Sequence, residues 1–316
     1  MYTRTGSIIF LFMRLTLLAG FLIVSQFLYA QQTQKDLVKS GIMKAKLGDY
    51  QAALADFNQA IQLDSTEGEP YYNRGIVKSE LKDYQAAIAD FSIVIALTPS
   101  YPEPWYNRGV AKDYLQNYSG AIYDYTKAIS LKADYPEAYL NRGLALFDLS
   151  QFDEAIQDFS RALAYSPGFA EAFYNRGLAR FNKGQFSEAI NDFNKAIDLD
   201  PSAAEYFSSR GAAKASRGEY EEAIIDLNEA IFLRPTDINP RLNKALAFMY
   251  LKLYHEAELI YSEVLNIDPV NQEAFTKRGV SRQKQGDLLA ACEDWDAALS
   301  LESDIAREYL QKFCGR

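Results

Sequence analysis

Tyr71-Tyr72-Asn73-Arg74-Gly75 is the stretch to which this chain keeps returning. Its glycine recurs as Gly109, Gly143, Gly177 and Gly211, gives way to Ala245, and returns at Gly279, always 34 residues on; Gly41 extends the series backwards. Self-similarity at a fixed period of roughly 20 to 50 residues marks a repeat array, in which each unit packs on its neighbours. Placing the glycine at position 8 gives eight units: 34–67, 68–101, 102–135, 136–169, 170–203, 204–237, 238–271 and 272–305.

Within each unit the apolar residues follow helical spacing. Positions 17, 20, 21, 24, 27 and 28 run as i, i+3, i+4, i+7, the stripe of an amphipathic helix. Position 20 is alanine in all eight units, from Ala53 to Ala291, and position 27 is Ala or Val, as in Ala60, Val94 and Ala298. Small residues at 8, 20 and 27 suit two helices crossing at close range, where a larger side chain would overpack. Large rings surround that crossing: Tyr71 and Trp105 at position 4, Tyr84 and Tyr118 at position 17, Phe91 and Tyr125 at position 24. Gly48-Asp49, Gly184-Gln185, Gly218-Glu219 and Gly286-Asp287 interrupt the pattern midway, and Pro99, Pro167, Pro201, Pro235 and Pro269 close it. Each unit therefore reads as helix, turn, helix, turn.

This pattern resembles the tetratricopeptide repeat family over residues 34 to 305. The resemblance implies an all-α, right-handed solenoid of eight helix-turn-helix repeats whose first helices line a concave groove. Residues 306–316 would add a capping helix, with Ile305, Tyr309 and Phe313 at i, i+4 spacing suited to cover the last repeat. Little precedes the first repeat after Gln31 to Thr33, so that end reads as uncapped.

The chain departs from the family where many members are apolar, at positions 7, 11 and 23. Here these are mostly arginine, lysine or arginine, and aspartate: Arg74, Lys78, Asp90; Arg108, Lys112, Asp124; Arg176, Arg180, Asp192; Arg210, Lys214, Asp226; and Arg278, Arg282, Asp294. The fourth repeat keeps Arg142 and Asp158 but has Leu146 between them; the seventh reads Lys244, Phe248 and Ile260; the first sets Asp56 opposite Ser40. We read the arginine and aspartate as a structural, charge-assisted bridge between helices. The alternative, a row of cations for an acidic ligand, is weaker, because six of the seven repeats with the aspartate also carry the arginine.

Family geometry turns positions 5, 6, 9, 12 and 13 towards the groove. The candidate partner-binding residues are then Tyr72, Asn73, Tyr106, Asn107, Leu140, Asn141, Tyr174 and Asn175, with Tyr114, Phe147 and Phe181 at positions 12 and 13. Asn243, Met249 and Tyr250 are the seventh-repeat counterparts. Asparagines can hydrogen-bond an extended backbone and aromatics supply anchoring area; equally, the asparagines could tie one repeat to the next. Position 2 is glutamate in six repeats, for example Glu69 and Glu103, and position 6 carries no arginine, which disfavours the carboxylate clamp that some family members use. Those glutamates suit the first turn of a helix without any ligand.

The N-terminal thirty residues hold two arginines and no acid, and an apolar run from Leu15 to Leu28 ends at Tyr29-Ala30 before polar Gln31-Gln32. That is the layout of a secretory signal peptide, cleaved after Ala30 and translated from Met13, with an uncleaved anchor as the rival. Arg14 would make spanning costly, and no cysteine follows to carry a lipid. Cys292 and Cys314 are the only cysteines. An even count in an exported chain invites a bridge, but Cys292 stands where six other repeats have Ile or Leu, which favours a buried thiol packing as a small apolar residue.

Net charge is −9, which disfavours a phosphate-tracking surface and hence nucleic acid as a partner. Sole His255 reads as solvated, and no phosphate loop, metal-spaced set or nucleophile motif is found, so neither a cofactor, a metal nor an enzymatic activity is expected. The sequence therefore points to an exported scaffold of the periplasm or cell envelope that binds a protein or peptide, with a glycan or cell-wall fragment as the alternative ligand.

Overall fold

The computed structural model describes residues 26, 28, 29 and 31–315. The signal-peptide reading, with its Met13 start, lies almost wholly outside them. Every regular element among the described residues is a helix, and none is long and apolar enough to cross a membrane. The chain divides into two compact units, one ending at Leu149 and one beginning at Ser150, so the division falls inside the fourth repeat.

The first unit holds α1 (31–46), α2 (Tyr50–Leu63), α3 (Gly68–Glu80), α4 (Tyr84–Leu97), α5 (Pro102–Tyr114), α6 (Tyr118–Leu131) and α7 (Pro136–Asp148). The second holds α8 (Phe152–Tyr165), α9 (Ala170–Asn182), α10 (Phe186–Leu199), α11 (Ala204–Ser216), α12 (Tyr220–Leu233), α13 (Asn239–Tyr250), α14 (Tyr254–Ile267), α15 (Gln272–Gln285), α16 (Leu288–Ser300) and α17 (Asp304–Tyr309). Odd-numbered helices up to α15 open a repeat and even-numbered ones close it. Within each unit successive helices pack on one another, giving an all-α solenoidal stack.

Local chemistry sets the helix ends. Position 15 adopts a left-handed backbone, as Gly48, Gly184, Gly218 and Gly286 in four repeats and as Lys82, Gln116, Ser150 and Lys252 in the other four. Glycine takes that conformation without a steric penalty, whereas the others carry a Cβ against the following carbonyl. The next residue caps the second helix. Asp49, Asp83, Asn117 and Asp287 each accept a hydrogen bond from the backbone N–H three residues on, at 3.1 to 3.2 Å. Gln151, Gln185 and Glu219 occupy the same place without such a bond.

In the first, second, third, fifth and last repeats the core is a glycine facing a ring; in the sixth Gly211 faces Leu227, and the seventh has Ala245 instead. A Cβ added at Gly75 would lie 2.8 Å from Phe91, at Gly109 2.7 Å from Tyr125, at Gly177 2.6 Å from Phe193, and at Gly279 2.5 Å from the Trp295 indole nitrogen. Position 8 is thus small because position 24 lays its ring across the helix there. Alanines at position 20 are fully buried throughout, and position 27 is buried in every repeat.

The C-terminal helix covers Trp295, whose ring lies 5.1 Å from Tyr309 and 5.8 Å from Phe313. Ala306 and Leu310 are the buried residues of this cap, but Ile305 is 58% exposed. The packing face runs Ala306, Tyr309, Leu310, Phe313, so Ile305 falls beside it and not on it. The cysteines are corrected as well: Cys292 and Cys314 are joined in a disulfide, with Cα atoms 6.1 Å apart, fastening the final π-turn (Leu310–Cys314) to α16. Position 21 of the last repeat remains buried, but its sulfur is covalently paired and is not a free thiol.

Two stability changes follow. Gln185→Asp, which supplies the missing cap of α10, is expected to stabilise the protein by about 1 kcal/mol in chemical denaturation. Reduction, or Cys314→Ser, is expected to cost about 2–4 kcal/mol, read as a lower denaturation midpoint of the C-terminal repeats.

Candidate functional site

The charged trio forms one construction repeated through both units. Arg74 grips Asp90 with two parallel hydrogen bonds of 2.9 and 2.6 Å, and Lys78 reaches the same carboxylate at 2.8 Å. Arg108 and Lys112 hold Asp124, Arg176 and Arg180 hold Asp192, Arg210 and Lys214 hold Asp226, and Arg278 and Arg282 hold Asp294, with the closest contacts between 2.6 and 3.0 Å. In the first repeat Lys44 takes Asp56 at 2.6 Å.

Each arginine does more than bridge its own repeat. Its remaining nitrogen donates to position 25 of the preceding repeat: Arg74 to Asn58, Arg108 to Ser92, Arg142 to Thr126, Arg176 to Ser160, Arg210 to Asn194 and Arg278 to Ser262. Its guanidinium also lies over the position-4 ring, 4.9 Å from Trp105 for Arg108 and 5.4 Å from Tyr71 for Arg74. These side chains are committed to packing. In the fourth repeat, which the unit division cuts, Arg142 sits over the Tyr139 ring in the first unit and Asp158 is buried in the second.

Several of the position-5 and position-6 candidates hold repeats together. Asn107 donates to the Tyr72 hydroxyl and Asn141 to the Tyr106 hydroxyl, both at 2.9 Å across 35 residues. Tyr72 packs its ring 6.0 Å from Phe91 and 5.7 Å from Tyr101, and burial pushes its phenol up to about 12. Tyr174 does likewise against Phe193 and Tyr206, and Ser209 donates to it at 3.4 Å. Where the preceding repeat offers no tyrosine hydroxyl the asparagine turns to its own helix: with Leu140 at position 5, Asn175 donates to the Glu171 carbonyl, as Asn73 does to Glu69.

Three further candidates change character. Leu140 is only 5% exposed and belongs to the core. At position 12, Phe147 is half-buried, and Phe181 packs edge-on against Phe186 at 5.4 Å while also lining the second-unit cavity described next. Position 13 is open: Tyr114 is 66% and Tyr250 60% exposed. Each lies flat on a position-17 tyrosine of the preceding repeat, Tyr84 at 4.6 Å and Tyr220 at 4.9 Å.

Those stacked pairs wall two of three cavities built to the same plan. In the first unit, a cavity of about 410 Å³ lies between repeats one and two, lined by Ile42, Tyr50, Asn73, Ile76, Val77 and Glu80 among others. The next, of about 360 Å³, uses Ile76, Tyr84, Asn107, Val110, Ala111 and Tyr114. In the second unit, one of about 350 Å³ uses Ala212, Tyr220, Asn243, Leu246, Ala247 and Tyr250. Each set is positions 9 and 17 of one repeat with 6, 9, 10 and 13 of the next. Sequence reasoning treated position 17 as packing only; the signal for its wall role was that tyrosine at 17 meets tyrosine at the following 13 in only two junctions. Among the described residues no group of three or more His, Cys, Asp or Glu side chains is placed to hold a metal.

Family models described as tetratricopeptide repeats match residues 41–82, 68–101, 114–150, 140–202 and 174–238, more than half of the chain. The protein belongs to the tetratricopeptide repeat family. Among solved structures it is similar to the MamA protein, at 26% identity over 56% of this chain and 96% of that one, with a TM-score of 0.52. It is also similar to the TPR protein YrrB, at 24% identity over 58% and 95% with a TM-score of 0.52. A third is the C-terminal part of a TPR repeat-containing protein from Cytophaga hutchinsonii, at 19% identity over 76% and 98% with a TM-score of 0.63. No curated protein sequence matches the chain.

Truncating the buried carboxylate tests the clamp. Asp124→Ala leaves Arg108 and Lys112 without their shared counter-ion and is expected to cost more than about 3 kcal/mol in equilibrium unfolding.

Proposed function

We propose that this protein is a scaffold for protein–protein interaction that holds an extended segment of a partner in the concave groove of its repeats, exported and acting in cell-envelope assembly. One observation carries the reading: cavities of the same construction recur at equivalent junctions, walled by tyrosine and floored by apolar residues, with one asparagine each. An extended chain directs alternate side chains to one face, and the two cavities at successive junctions of the first unit suit such a ligand. YrrB, a relative in fold, is described as having an unusual peptide-binding site.

The glycan alternative would call for an unbroken run of exposed rings. Position 13 of the first unit instead reads Lys46, Glu80, Tyr114, Asp148, a mixed lining that supports a peptide. Export is supported by the apolar N-terminal run and by the Cys292–Cys314 disulfide, since such bonds persist in oxidising compartments.

Fluorescence polarisation of the full chain against degenerate nonapeptide pools tests the ligand class. Binding is expected to weaken about tenfold or more in Tyr84→Ala/Tyr114→Ala, with helicity by circular dichroism unchanged. Binding of cell-wall oligosaccharides but of no peptide pool would overturn the reading. N-terminal sequencing of the mature protein is expected to begin at Gln31; recovery of the protein in the cytosol with its N-terminal segment intact would remove the export part.

A further inference from the structure

Five repeats carry an asparagine at position 6, and four of these side chains are spent inside the protein. Asn107 and Asn141 donate to tyrosine hydroxyls of the preceding repeat, and Asn73 and Asn175 to carbonyls of their own helices. Asn243 on α13 is the exception. The preceding repeat presents Ser208 where Tyr72 and Tyr106 stand, and among the described residues the Asn243 amide has no hydrogen-bond partner. It is half-buried and lines the second-unit cavity of about 350 Å³. A donor and an acceptor are therefore held open in a concave wall.

The rest of that cavity differs from its two counterparts in the first unit. Those hold charge: Lys46 and Glu80 line one, Glu80 and Lys82 the other. In the second unit Ser216 occupies the place of Glu80 and Gly218 that of Lys82, and no charged residue lines the cavity. The Ser216 hydroxyl donates to the Ala212 carbonyl at 2.9 Å, so its proton is already used.

A third ring is added as well. Phe181, at position 12 of the fifth repeat, reaches this cavity, whereas its counterpart Ala45 does not reach the one walled by Tyr84 and Tyr114. Tyr220 and Tyr250 stack at 4.9 Å. Rings from three successive repeats thus meet around one space, which the small Ala212, Ala215 and Ala247 leave open.

We infer that this cavity receives an aromatic side chain with a polar edge, tryptophan or tyrosine, of the bound segment: its ring sits among Phe181, Tyr220 and Tyr250, and its N–H or O–H donates to the Asn243 amide oxygen. The inference rests on the groove-binding reading above and gives it a residue preference. A charged side chain would enter without a counter-ion, which is costly away from water. An aliphatic one, or phenylalanine, would cover the amide and leave it unpaired. Ring against ring gains more than the area it covers, and an indole or phenol brings the single polar group that a single amide can answer. A sugar, with hydroxyls on every side, would find one free amide and no carboxylate to take them.

The test measures, by polarisation against the full chain, nonapeptide pools centred on Trp, Tyr, Phe, norleucine or Glu. Trp and Tyr pools are expected to bind at least about tenfold more tightly than norleucine or Glu pools, and about fivefold more tightly than Phe pools. Asn243→Leu, which keeps the bulk of the side chain, should bring Trp and Tyr pools level with Phe pools. Ala215→Phe puts into the wall a residue that position 12 already carries as Phe147 and Phe181; it should fill the cavity and abolish every aromatic preference while norleucine-centred binding is kept. Melting followed by circular dichroism checks that each variant is folded, and Asn243→Leu alone decides if Ala215→Phe does not fold. Equal binding of Trp, Tyr and norleucine pools, or a Trp and Tyr advantage over Phe that survives Asn243→Leu, overturns this inference and leaves the groove reading standing. An aromatic preference that survives a folded Ala215→Phe does the same. Failure of every pool overturns both readings, as does binding of cell-wall oligosaccharides alone that Asn243→Leu weakens.

Discussion

A carboxylate with almost no solvent exposure has to be answered, and in this protein the answer organises the repeat. Asp124 is 0% exposed and meets Arg108 through a two-bond fork and Lys112 through a third contact. Removing an ion from water is expensive, and replacing such a pair with apolar side chains is often neutral in stability. What a hydrogen-bonded fork adds is geometry. Arg108 ties its own helix α5 to α6 through Asp124 and to α4 through Ser92, so one side chain fixes three helices in register. A slip of either helix would leave buried charge unpaired, a far larger penalty than a misfitted leucine.

The glycine beneath the ring supplies the second constraint. The close approach of Phe91 to Gly75 admits no Cβ, and that approach is what brings Arg74 within fork distance of Asp90. Packing and polar recognition are therefore one arrangement. The seventh repeat shows the alternative: Ala245 replaces the glycine and Lys244, Phe248 and Ile260 replace the trio. There Lys244 lies over the Phe248 ring at 5.8 Å, burial lowers its pKa, and Ile260 packs where the aspartate would stand. The same fold is reached by apolar packing once the charges are removed together.

What could be read from the sequence was whatever the repeats share. The period, the helix pairs, the small positions and the arginine–aspartate trio are each written several times over, so spacing alone exposes them. What depends on a neighbouring repeat was less legible. Asn107 and Asn175 occupy the same position, yet one bonds a tyrosine of the preceding repeat and the other its own helix, because Tyr72 and Leu140 differ. Leu140 itself was assigned to the groove by its register and lies in the core. The disulfide and the buried line of the last helix belong to a single non-repeating end, where periodicity offers no guide.

Variation against so regular a background is the most informative signal left. Scaffold positions accept nearly one residue type, and position 17 is aromatic in seven of the eight repeats, whereas position 13 changes from junction to junction among Lys, Glu, Tyr, Asp, Asn and Ser. A surface selected only for solubility would vary in this way too, but it would not lay Tyr114 and Tyr250, both more than half exposed, flat against Tyr84 and Tyr220. Exposed rings stacked in the same way at two junctions, where the neighbouring junctions carry charged or small polar residues, are best explained by what lies against them when a partner is bound.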